Sequence, residues 1–360
     1  MRKHYLDNIR WFTVVLVALY HVIYIFNGIL PGTGLPFKEV QYQDAGMYVV
    51  YPWFMLLLFI VSGMSAKFYL ETHTVQEFKK ERTRKLLVPS TIGILVIGWI
   101  QGYINMSVGG AFENMTDSVP APILFLIMAL SGTGVLWFVQ MLWLFSMLLI
   151  VIRRFEKGKL FELTKRANIP VLILLVIPLW ISGQILNTPI VLVYRFGIYT
   201  FAYLLGYFVF AHEEIITRIS NCRYVFIPVA VALGIGYTVL YFGENYAEMP
   251  LVGSPLAVGF AWVAILAIFG SAKAWGDKTN AFTLFMTKKS WGIYVFHYLP
   301  LSAMAYALRN YTDMAPLPCY LLTAVAAFLG SIVLYEVVSR IPFLRWCVLG
   351  MKKEKKDVSR

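Results

Sequence analysis

Charged residues are scarce in this chain: Asp, Glu, Lys and Arg make up 14% of its 360 residues, against about 25% in a soluble globular domain. With 59% apolar residues and a mean hydropathy of +0.69, that scarcity excludes an ordinary soluble protein, and the apolar content excludes intrinsic disorder. Cysteine is nearly missing. Cys222, Cys319 and Cys347 are odd in number and scattered, so there is no disulfide framework, metal-ligand spacing or redox pair. Motifs are missing too. Without GxxxxGK[ST], HExxH or GxSxG, nucleotide hydrolysis, zinc proteolysis and serine-hydrolase chemistry have no sequence support. No collagen-like period, repeat, low-complexity tract or Pro/Gly/Ser linker divides the chain.

What is present is long apolar runs. A spanning helix needs roughly 20 mostly apolar residues, and ten such runs occur, approximately 11–30, 48–66, 86–105, 133–152, 169–187, 190–211, 224–242, 254–272, 290–308 and 317–339. The expected fold is therefore an all-α integral membrane protein with about ten transmembrane helices. The apolar stretch from Ala121 to Leu130 is too short to span and is expected to re-enter or lie at the interface. The fifth and sixth spans are separated only by the turn Asn187, Thr188, Pro189. Lys and Arg accumulate in cytoplasmic loops. With the N-terminus inside, 28 of the 31 fall in cytoplasmic segments. Only Lys38, Arg195 and Arg309 fall elsewhere, while Glu39, Asp44, Glu113, Asp117, Glu244, Glu248 and Asp313 lie in outer loops. Both termini are thus expected to be cytoplasmic. The chain reads as one membrane domain, 1–342, followed by a basic cytoplasmic tail, 343–360. The net charge of +12 serves topology near anionic lipid rather than nucleic acid. No small-x-small site closes the first span, so it is not a cleaved signal.

Ionisable groups within a bilayer are costly and mark function. His4, His73 and His212 fall in cytoplasmic segments and read as solvated. His21 and His297 fall inside spans. In DNIRWFTVVLVALYHVIY, Asp7 is a plausible helix N-cap and Arg10 sits at the inner interface. His21 follows Arg10 by eleven residues, about 16 Å along a helix and hence near the midplane. Asp7 is about 21 Å from His21 on the same axis, too far to orient it, so a partner for His21 must come from another span. In KKSWGIYVFHYLP, Tyr294 precedes His297 by three positions on one face. Ser62 and Gly63 lie near the cytoplasmic end of the second span, where packing competes with catalysis as their role. Arg195, one to two turns inside the outer surface, is expected to snorkel. Glu336 can pair with Arg340 at i, i+4.

These features together resemble the acyltransferase-3 family of integral membrane acyltransferases. YLDNIRWFTVVLVALYH resembles its first span, where an arginine, ten residues and a histidine recur; Arg10 and His21 match. LLFIVSGM resembles its run ending in Ser-Gly, RTRKLLVP its basic stretch, LWFVQMLW its Trp-Phe element, and SWGIYVFHYLP its late Ser-x-Gly-x-Tyr-x-x-His element. The likeness covers residues 5 to about 300. It departs at the basic stretch, where the family's two arginines three apart become Arg82 and Lys85, with Arg84 out of phase. Lysine meets a phosphate without the bidentate fork. No appended soluble domain is seen, so no second hydrolase-like activity is expected.

The resemblance implies transfer of an acyl group, commonly acetyl and sometimes succinyl, from cytoplasmic acyl-CoA to a hydroxyl of a carbohydrate or related acceptor outside, in the plasma membrane. No permanently bound cofactor or metal is implied; acyl-CoA is a co-substrate. Arg10, Arg82 and Lys85 would hold the CoA phosphates. His21 would be the general base, with an acyl-His intermediate as the variant. His297 and Tyr294 would orient it or donate to the oxyanion, with Ser62 as a further donor. Two other readings compete. A polytopic transporter or exporter of a glycan or small metabolite would use the histidines for proton coupling, but should show paired broken spans in its two halves, and none is evident. A sensory or assembly protein would leave His21 and His297 without work.

Overall fold

The computed structural model describes residues 3–29, 34–112, 119–188 and 193–352. The basic end 353–360, Pro189 of the expected turn, and Glu113 and Asp117 of the outer loops lie outside them. Among the described residues the regular structure is helical, apart from an isolated bridge joining Asn187 to Arg195.

Among the described residues seven helices are long and apolar enough to cross a membrane: His4–Ile25, Tyr42–Leu70, Val75–Val108, Gly134–Glu156, Arg223–Tyr241, Pro255–Trp275 and Pro316–Arg340. Each overlaps an expected span. The remaining three expected spans take other forms. Ile169–Ser182 and Phe196–Phe210 are shorter, and the ninth is divided at His297 into Ala281–Phe296 and Tyr298–Tyr311. Pro300 explains that division, because it has no N–H for the Phe296 carbonyl and its ring crowds that group. Ala121–Ser131 is a separate 11-residue helix, as its short apolar run requires.

Contacts between helices divide the chain into two units. One comprises Met1–Pro31, Pro36–Val75 and Phe145–Ser290, the other Gly32–Leu35, Gln76–Leu144 and Trp291–Arg360.

At the centre of the first unit is the helix Ala45–Leu70. Its residues from Phe54 to Val61 are buried without interruption, as expected where a helix is apolar all round. His4–Ile25, Phe196–Phe210, Arg223–Tyr241 and Pro255–Trp275 pack against it. Two glycines bring the central helix into backbone contact with Phe196–Phe210. A Cβ on Gly63 would lie 2.0 Å from the Tyr203 carbonyl oxygen, and one on Gly206 would lie 2.0 Å from that of Ile60. Small residues are what permit such an approach between helices in lipid. The start of the first helix is fixed by remote groups: the Tyr5 N–H donates to Asp277 at 3.1 Å, and Glu213 takes Lys3 at 2.5 Å and Lys273 at 2.6 Å.

In the second unit, Val75–Val108 runs through two stretches of wide π-helical turns, Thr83–Leu87 and Pro89–Gly98. The amides of Val88 and Gly93 reach back five residues, to Thr83 and Val88. Pro89 cannot donate to the Lys85 carbonyl, and widening the turn relieves the clash of its ring. Pro342–Leu349 forms a further helix, with Cys347, Val348 and Leu349 buried. Glu336 meets Arg340 at 3.9 Å, as expected.

Candidate active site

Arg10 and His21 stand on the first helix, whose hydrogen bonding ends at Ile25. The expected span 11–30 is therefore displaced toward the N-terminus, and His21 lies about one turn from the helix end. The Arg10 guanidinium donates from Nη1 to Asp7 Oδ1 at 2.9 Å and from Nη2 to Ser65 Oγ at 2.9 Å. Asp7 is thus not the cap expected of it. The helix begins at His4, and Asp277 satisfies its first-turn amide, which releases Asp7 to orient Arg10 at i, i+3. The Ser65 hydroxyl proton goes to the Val61 carbonyl at 2.7 Å, leaving its lone pairs toward Arg10. Arg10 keeps 39% of its side chain exposed, so its charge is held in place without being sealed off.

His21 is half-buried. Its Nδ1 lies 2.8 Å from the Val17 carbonyl oxygen. A carbonyl can only accept, so Nδ1 carries the proton and Nε2 is the basic nitrogen of the neutral ring. Tyr20 meets the ring edge-on at 5.2 Å, and Tyr24 lies 6.1 Å away. Ser62, also half-buried, is one helical turn before Ser65 on the same side of the central helix.

His297 is 0% exposed and holds the same tautomer, its Nδ1 lying 3.0 Å from the Ile293 carbonyl oxygen and 2.9 Å from that of Tyr294. Tyr294 donates its hydroxyl proton to the Val135 carbonyl. To serve an oxyanion, that proton would first have to leave Val135. In the basic stretch, Glu81 binds both Arg84 and Lys85, the latter at 2.7 Å. The Arg82 guanidinium lies over the Phe78 ring at 5.0 Å. The out-of-phase Arg84 therefore shares a counterion with Lys85, while no carboxylate partner of Arg82 is found among the described residues.

Arg10, His21 and Ser62 belong to the first unit; Arg82, Lys85, Tyr294 and His297 belong to the second. Within the first, sequence reasoning missed Ser65. Its signal was the i, i+3 repeat of serine in SGMSAK, at the same end of a span as Arg10. A cavity of about 1180 Å³ in this unit is lined by apolar side chains such as Trp11, Phe12, Val231 and Ile235 and by neither Arg10 nor His21. Its walls have the composition of a lipid-facing groove.

The family model for an acyltransferase domain, of the acyltransferase-3 type, matches residues 3–336. The chain belongs to this family. Comparisons with curated proteins and with solved structures give no match. The matched range includes every site residue named above, whereas the helix Pro342–Leu349 follows it. Acyltransferase-3 membership and the long apolar helices together describe a membrane acyltransferase.

Proposed function

We propose that this protein moves an acyl group, acetyl in the first instance and succinyl in the second, from cytoplasmic acyl-CoA to a hydroxyl of an extracytoplasmic carbohydrate or related acceptor. In this reading the plasma membrane is crossed about ten times, with the shorter helices Ile169–Ser182 and Phe196–Phe210 and the divided pair around His297 completing the set. Both termini face the cytoplasm, and the tail follows the membrane domain there.

The observation that carries the reading is the disposition of Arg10 and His21 on one helix. Asp7 and Ser65 hold a half-exposed guanidinium at one end, and the Val17 carbonyl fixes the ring that keeps Nε2 basic near the other. A pantetheine arm, on the order of 15–20 Å long, is comparable with the roughly 16 Å between the two positions. Arg10, Arg82 and Lys85 are assigned to the CoA phosphates. His21 Nε2 takes the acceptor hydroxyl proton as the oxygen attacks the thioester carbonyl. The C–O bond forms, the C–S bond breaks, and the departing CoA thiolate takes the proton back from the imidazolium. His297, Tyr294 and Ser62 are assigned to orienting the base or stabilising the oxyanion.

The test is His21→Ala and Arg10→Ala at matched membrane levels, with acyl esters on surface glycans read by mass spectrometry and labelled acetyl-CoA supplied to inverted vesicles. Loss of a general base lowers transfer by about 100-fold or more. Unchanged ester content in both variants would refute the enzyme reading.

A further inference from the structure

Arg195 does not snorkel. It immediately precedes the helix Phe196–Phe210 and is only 4% exposed. A guanidinium withdrawn from water ordinarily faces a carboxylate, because an unpaired buried charge is expensive. No ion pair of Arg195 occurs among the described residues. Its Nη2 reaches the Val252 carbonyl at 3.4 Å, a long contact, and the guanidinium donates to the Tyr199 hydroxyl. Its Nε–H has no acceptor among the described residues.

Tyr51, Tyr199 and Tyr237 all lie within the field of this charge. Tyr237 is 0% exposed, and its hydroxyl likewise has no partner among the described residues. The cluster thus has two buried donors without acceptors, grouped around a cation. Among the described residues it holds no carboxylate. Buried polar groups left unsatisfied call for a bound species, and a cation beside spare donors calls for an anion, which accepts shorter and stronger bonds than water does.

The cluster is continuous with His21. Tyr51 stacks on Tyr20 at 5.9 Å, and Tyr20 meets the His21 ring at 5.2 Å. Tyr51, Tyr24 and His21 are each half-buried, so the chain of rings is not closed off. All of these residues belong to the first unit.

We infer that Arg195, with Tyr237 and Tyr51, binds an anionic group, a carboxylate or a phosphate, carried by the acceptor whose hydroxyl is acylated beside His21. The role of that ligand as acceptor rests on the acyltransferase reading; its charge follows from the unpaired donors alone. Arg195 is therefore a specificity residue: it distinguishes acidic from neutral acceptors and takes no proton in the reaction.

The test is direct binding to the purified full-length protein in detergent, by calorimetry, with three probes: methyl β-D-glucuronide, glucose 1-phosphate and the neutral methyl β-D-glucoside. At least one anionic probe should bind about tenfold or more tightly than the glucoside, and which one does so separates carboxylate from phosphate. Arg195→Gln should abolish that preference. Tyr237→Phe, which keeps the ring and its packing, should reduce it several-fold and serves if Arg195→Gln does not fold. Equal binding of all three probes, binding of none, a preference that survives in Arg195→Gln, or one that is undiminished in Tyr237→Phe would overturn the inference. His21→Ala should keep the preference while losing transfer. Should the wild type transfer no acyl group from labelled acetyl-CoA, the acyltransferase reading fails, and the anion preference is judged on its own.

Discussion

Substitution of Gly63 by alanine tests the crossing of the central helix Ala45–Leu70 with Phe196–Phe210. The added Cβ would stand 2.0 Å from the Tyr203 carbonyl oxygen and 2.9 Å from the Tyr207 nitrogen, whereas ordinary contact begins near 3.4 Å. Both obstacles are backbone, so no rotamer change relieves them. The helix Phe196–Phe210 must retreat by about 1 Å or more, and Gly206, in the reciprocal contact with Ile60, must retreat with it. Forcing extra atoms into a packed interior costs about 1–3 kcal/mol, and a backbone obstacle places this case at the upper end. The control is Gly236→Ala in the helix Arg223–Tyr241, where nothing lies within 4 Å of the added atom. There alanine should stabilise by up to about 1 kcal/mol through helix propensity. Thermal unfolding in detergent, followed by tryptophan fluorescence, should therefore move the two midpoints in opposite directions. A Gly63→Ala midpoint at or above that of wild type would refute the crossing.

Two further outcomes follow from the same contacts. Tyr294→Phe leaves the buried Val135 carbonyl without its donor, which costs about 1–3 kcal/mol; a lowered unfolding midpoint is expected, and an unchanged one would show that the bond does no structural work. Burial pushes the Glu213 carboxyl up, but hydrogen bonds from Lys273 and Lys3 outweigh it and hold the group below the ordinary carboxylate range. A depressed carboxyl stabilises fully above its unfolded value and loses that contribution as pH falls through its folded value. Acidification from about pH 6 to about pH 3 should therefore destabilise the wild type more than Glu213→Gln, by no more than about 1 kcal/mol given the screening of a half-exposed pair. Parallel midpoint curves for the two proteins would count against the cluster.

The fold was legible where apolar length alone decides it. Seven of the expected spans are helices of spanning length, because a run of twenty apolar residues has no better solution in lipid than to close its own hydrogen bonds. Legibility failed where a single residue changes the backbone. Pro300 divides the ninth span and Pro89 widens the third helix, and a hydropathy window averages over both. It failed again where a remote group takes over a local role. Nothing near Asp7 in the sequence reveals that Asp277 satisfies the first amides, yet that bond is what leaves Asp7 for Arg10. Ser65 was visible only as a small residue in a packing position. Arg195 shows the opposite error: its nearness to the outer surface suggested snorkelling, and burial depends on neighbours that depth does not report.

The two histidines show why residue type and depth are insufficient to assign chemistry. Both give the Nδ1 proton to a carbonyl one turn back, so both present a basic Nε2, and tautomer does not separate them. Exposure does. His297 is wholly buried beside the helix division imposed by Pro300, where the freed polar groups of a broken helix need local partners. His21 lies in an unbroken helix, is half-buried, and is ringed by tyrosines rather than by a gap in the backbone. A base must reach a substrate proton and exchange it, and of the two only His21 combines this tautomer with partial exposure.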